Sequence, residues 1–177
     1  MKRDVGGREI LRLPDEDPTT WKLLLYWTTK RSLPFEPDPR YADDEDSVSL
    51  LIFLSRCWIC GERYAASSFQ DAVMIQLLRV LKTVNVTAEV IEVAFNRAVP
   101  NSKLCALMAQ EAMADLKTAE PVVTPEILQQ IRGAGNNLKV LMSAAAMAED
   151  IDCSGRLEDE GVWKSFMVGN GPHYLGN

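Results

Sequence analysis

From Val48 to Cys60 the chain runs for thirteen residues with no glycine or proline and a single charge, and this stretch limits the choice of fold more than any other. Its length exceeds that of an ordinary strand. Apolar side chains at 50, 51, 54, 57 and 58, and again at 52, 53, 59 and 60, cover nearly the whole circumference of a helix. A helix that is apolar on almost all sides has to be buried, so the spacing predicts a central core helix against which others pack. A membrane span needs about 20 apolar residues. This run is shorter and holds Arg56.

The rest of the chain supplies enough material to surround such a helix. Its 177 residues are 47% hydrophobic and 25% charged, the balance of a globular domain rather than a disordered one. A formal net charge of -6 with a pI near 4.9 offers no basic face to a polyanion, so neither nucleic acid nor an acidic membrane surface is an expected partner. Met1 to Gly7 lacks the apolar core of a signal peptide, and neither secretion nor a membrane anchor is expected. Four cysteines are too sparse for a disulfide scaffold and point to free thiols in a reducing compartment, cytoplasm or nucleus.

Helix signals recur along the chain. Residues 8–13 alternate loosely around Ile10, Leu11 and Leu13 and predict a short strand that ends in a turn. Asp17-Pro18 is a capping carboxylate followed by a proline suited to a first helical position, and predicts a helix through Trp21, Leu24 and Leu25 to about Arg31. A proline-rich loop at 32–46 closes on Asp43-Asp44-Glu45-Asp46, carboxylates placed to face the positive end of the buried helix. Spacing and glycine placement for a calcium loop are missing there. Ser67 and Gln70 have capping-box spacing ahead of an amphipathic run with Phe69, Val73, Leu77, Val80 and Leu81. Asn85 or Thr87 can cap a helix that stops before Pro100, and Asn101-Ser102 opens another that Glu120-Pro121 breaks. Thr124-Pro125 starts a helix over 127–132, and helix resumes from Leu138 to Ala148 after Gly133-Ala134-Gly135. The boundaries expected are 8–83, 84–150 and a flexible, glycine-rich tail over 151–177.

Few groups invite a chemical reading. Cys57-Trp58-Ile59-Cys60 has the spacing of a redox pair, but such pairs sit at a helix N-terminus, where the dipole lowers the thiol pKa. Here the pair lies nine or more residues into an apolar helix, which favours two small core hydrophobes with raised pKa values. A zinc half-site is the remaining alternative and needs two further ligands, whereas Cys105 and Cys153 are isolated and His173 is the only histidine. Gly133-Ala134-Gly135-Asn136-Asn137 lacks the Lys-Ser/Thr of a phosphate loop. Trp21, Trp27, Trp58 and Trp163 read as core, with Trp27 half exposed, and Met108, Met113, Met142 and Met147 read as packing. No catalytic residue, metal ligand or cofactor is expected.

The order of Ile10-Leu11-Arg12-Leu13-Pro14-Asp15-Glu16-Asp17-Pro18, then Trp21, Leu24, Leu25, Tyr26, Trp27 and Thr28, then Leu50-Leu51-Ile52-Phe53-Leu54 through Tyr64 and Phe69-Gln70-Asp71-Ala72-Val73, resembles the second half of a BTB/POZ domain. In that likeness the first segment is the last core strand, the second a helix with an aromatic, aromatic, Thr ending, and the others the paired closing helices. Residues from Thr87 to Leu116, with Ala98-Val99-Pro100-Asn101-Ser102 leading a helix, are similar to the helical extension of fungal BTB proteins. The likeness spans roughly residues 8 to 116 and lacks the family's first half, so the missing strands are expected to come from a partner or second protomer, to be lost in a truncated product, or to be replaced by a rearranged helical fold. It implies a mainly α helical bundle with one or two short N-terminal strands, and an intracellular protein-protein interaction module or adaptor linked to ubiquitin ligases or transcriptional scaffolds. Its implied partners are other proteins, including a second copy of itself. A small thiol oxidoreductase using Cys57 and Cys60 is the alternative function.

Overall fold

The computed structural model describes residues 17–34, 44–131, 138–140, 142–143 and 160–169. They are mainly helical: α1 Pro18–Lys30, α2 Asp44–Arg63, α3 Ser67–Val80, α4 Ala88–Arg97, α5 Lys103–Asp115, α6 Pro125–Gln130 and α7 Glu160–Ser165, with helical turns also at 138–140 and 142–143. Among the described residues there is no strand. The strand expected at 8–13, residues 133–137, Met147, Cys153 and His173 lie outside them.

Local chemistry starts the helices largely where the caps predict. Asp17 Oδ2 accepts the Thr20 N–H at 2.9 Å and the Thr20 hydroxyl at 3.0 Å, with Pro18 at the first helical position of α1. Those bonds hold the Asp17 carboxyl below its ordinary value. Ser102 Oγ accepts from Cys105 N at the start of α5, and Thr124 Oγ1 accepts from Ile127 N at the start of α6. Thr87 occupies the cap position of α4 without a side-chain bond.

The capping box expected at Ser67 and Gln70 does not form. Ala65, at φ 53°, ends α2 in a left-handed turn: its N–H donates to Glu62 O and the Ala66 N–H to Gly61 O, the two bonds of a Schellman motif. The Ala66 carbonyl then accepts from Phe69 N and Gln70 N, so Ala66 caps α3 and Ser67 is already helical. Gln70 is buried against Gly61 instead. With only three residues between them, α2 and α3 form a helical hairpin, and Gly61 lets them touch: a Cβ there would lie 2.6 Å from Gln70 Cγ and 3.0 Å from the Phe69 ring.

Helix α2 is the one the others pack against, touching α1, α3 and α4 as its apolar run predicts, while α3 is the more deeply buried of the pair. Every residue from 69 to 78 is buried, whereas α2 exposes Ser49 and Arg56 and leaves Leu50, Ile52 and Phe53 half-buried. Helix α1 packs across this hairpin with Leu23, Leu24 and Trp27. The Trp27 ring lies 6.1 Å from Phe69, so this tryptophan is buried rather than half exposed. Helix α4 packs on both α2 and α5, and one apolar cluster runs from Leu23 to Met167.

Two further departures follow from carboxylates. Helix α5 ends at Asp115, short of Glu120, because Asp115 Oδ2 accepts the Val123 N–H at 2.7 Å and so ties down the loop after it. Residues 160–169 belong to the stretch expected to be flexible, yet Trp163, Phe166 and Met167 are buried. The cause lies in α3: Asp71, itself buried, accepts the N–H groups of Val168 at 2.7 Å and of Gly169 at 3.1 Å.

Candidate functional site

Two helix starts and the end of a third converge on a cleft of about 450 Å³. Trp58 and Glu62 of α2 form one wall, Ser67 and Gln70 of α3 the floor, and Asn101 to Lys103 the far side, with Val168 closing one end. The sequence brings these together through two left-handed residues, Ala65 and Asn101, which turn the chain sharply before α3 and before α5. Glu62 Oε2 accepts the Val99 N–H at 2.9 Å, and so fastens the end of α2 to the turn between α4 and α5.

Three polar side chains lining this cleft, Glu62, Ser102 and Lys103, are engaged with backbone, whereas the buried Trp58 Nε1 has no hydrogen-bond partner among the described residues. Glu62 holds Val99, Ser102 holds Cys105, and Lys103 Nζ donates to the Ser165 carbonyl at 2.7 Å. Asp71, beneath Val168, holds two main-chain amides. The chemistry shown is capture of main chain by side chains, with a cation on a carbonyl and a carboxylate on amides. A second, smaller and more enclosed concavity of about 350 Å³ lies between Val48, the 83–87 turn and Val122.

Cys57 and Cys60 stand away from any helix start, within the buried side of α2. Burial pushes the Cys57 thiol up to about 12; the neighbouring Thr20 side chain counters this in part, and Cys60 and Asp17 add to it. Cys105 is also raised by burial, partly countered by Ser102. All three are free thiols. Among the described residues no group of three or more His, Cys, Asp or Glu is placed to hold a metal ion, and no helix is long and apolar enough to cross a membrane.

The cleft is not legible in the sequence. Its lining comes from three separate stretches, 58–70, 101–103 and Val168, which no local period brings together. No protein-family model, curated protein or solved structure matches the chain.

Proposed function

We propose that the chain is a non-catalytic protein-protein interaction module or adaptor of BTB/POZ type, acting inside the cell. The observation that supports this most is the α2–α3 hairpin, with α1 laid across it and α4 and α5 following, the order in which the resembling family closes its domain. The last turns of helix α1 carry Tyr26-Trp27-Thr28, the aromatic, aromatic, Thr run of that likeness, and Trp27 is its anchor into the hairpin. On the outer side of the same helix, Leu25 is 48% and Tyr26 39% exposed, and Trp21 meets Tyr64 with ring centroids 4.7 Å apart. Apolar groups left on one helix face suit contact with another protein.

Light scattering on the chain alone, and mixed with the amino-terminal part of a cullin, tests the ubiquitin-ligase branch of this reading. A complex of summed mass supports it, and unchanged masses at tens of micromolar overturn it. The alternative, a thiol oxidoreductase, needs a thiolate near neutral pH. The burial of Cys57 and its high pKa weigh against that role. Alkylation kinetics across pH decide it: fast modification at pH 7 with a reversible Cys57–Cys60 disulfide overturns the non-catalytic reading.

A further inference from the structure

Residues 160–169 are held in a manner of their own. A six-residue helix has no independent stability, so α7 keeps its shape only while it is docked. Its docking side is narrow. Trp163, Phe166 and Met167 are buried at i, i+3 and i+4, while Lys164, Ser165, Val168 and Gly169 are exposed. Long-range polar attachments to its main chain fix the segment: Lys103 Nζ donates to Ser165 O, and the Val168 and Gly169 amides donate to the Asp71 carboxylate.

This division of labour is that of peptide recognition, in which main-chain bonds set register and pockets for a few side chains set selectivity. The charges are complementary along the segment, with an ammonium at a carbonyl and a carboxylate at the two amides beyond it. Gly169 adds a requirement of shape: a Cβ there would lie 2.9 Å from Asp71 Oδ2 and 3.6 Å from Ser67 Oγ. A residue larger than glycine obstructs the approach of that amide to the carboxylate.

We propose that the groove between the first turns of α3 and α5 is a peptide-docking site occupied in cis by residues 162–169, and that its partner in trans is a segment of another protein with the pattern Trp-x-x-Phe-Met-x-Gly. Detachment of the segment withdraws the two amides from Asp71 and the Ser165 carbonyl from Lys103, and uncovers the sites of Trp163, Phe166 and Met167 together. Partner binding and release of the chain's own segment are therefore one equilibrium, and the wild-type chain binds such a peptide more weakly than an emptied groove does. The inference rests on the interaction-module reading, but its test uses neither a cullin nor a thiol, so the two fail independently.

The experiment is fluorescence polarisation of a labelled ten-residue peptide with the sequence of residues 160–169, titrated with the full chain. The expected result is binding at least tenfold tighter to Trp163→Ala/Phe166→Ala than to wild type. In that background Asp71→Asn weakens binding at least tenfold, and a peptide with Gly169→Val does not bind. A folded double variant, judged by circular dichroism, that does not bind the peptide overturns the proposal. Where the double variant does not fold, hydrogen exchange of the wild-type chain decides instead. Val168 and Gly169 amides that exchange well before those of α3 support a separately opening segment, and exchange in step with α3 overturns it. Segment exchange between copies, seen as a dimer in light scattering, assigns the groove to a second copy and overturns the trans partner.

Discussion

Positions 57 to 65 show how much a single side chain decides here. An alanine at Gly61 gains about 1 kcal/mol of helix propensity, but its Cβ falls 2.6 Å from Gln70 Cγ and 3.0 Å from the buried Phe69 ring. Overpacking of that kind costs about 1–3 kcal/mol. Gly61→Ala is therefore expected to lower stability by up to about 2 kcal/mol in urea unfolding. Four residues on, the sign reverses. Ala65 holds φ 53°, a conformation that costs an L residue about 1–2 kcal/mol, more than the extra unfolded-state freedom of glycine. Ala65→Gly is expected to raise the urea midpoint, by roughly 0.5–1 kcal/mol in stability. Cys57 contributes at the alkaline end. Its folded pKa lies above its ordinary 9.0, at about 12, so burial of the neutral thiol is fully stabilising below pH 9 and is lost as pH rises toward 12. Stability should fall by up to roughly 1.4 kcal/mol per pH unit over that window, and Cys57→Ala should flatten the fall in unfolding curves measured from pH 8 to 11.

Helices in this chain are set by caps where the cap is local and by distant partners where it is not. Ser102 shows the first case. Its hydroxyl accepts the Cys105 N–H at 3.2 Å, and Ser102→Ala is expected to cost about 1 kcal/mol, read as a lower melting temperature. The starts of α1, α5 and α6 were legible because Asp17, Ser102 and Thr124 bond to backbone only three residues ahead. The burial of Cys57 and Cys60 was legible from their apolar neighbours. The place of α3 was not. Gln70, Asp71 and Gln76 give it an amphipathic pattern, yet all three are buried. Asp71 tolerates burial because amides 97 and 98 residues away meet its carboxylate, and no local period records such a partner. The capping box at Ser67 failed for a similar reason. Closure of α2 by a Schellman turn on a non-glycine residue moved the cap back to Ala66. The cleft shares this opacity, since Glu62 and Val99 meet only after α4 has packed on α2.

Across the whole molecule, one apolar cluster joins α1 to the residues after α7, and α4 packs on α2 across the turn at 81–87. Division at residues 83 and 84 would split that cluster. Denaturation followed by tryptophan fluorescence and by circular dichroism is thus expected to give a single, coincident transition for α1 to α5, and two separated midpoints would contradict it. The bond from Val168 to Asp71 closes a separation of 97 residues, and on a ribosome that separation is also an interval. At roughly 5–20 residues per second, α3 precedes its own clasp by roughly five to twenty seconds. For the later part of that time, once Lys103 has followed Asp71, a newborn chain presents both before the segment that will cover them has been synthesised, and any competing peptide meets the groove first.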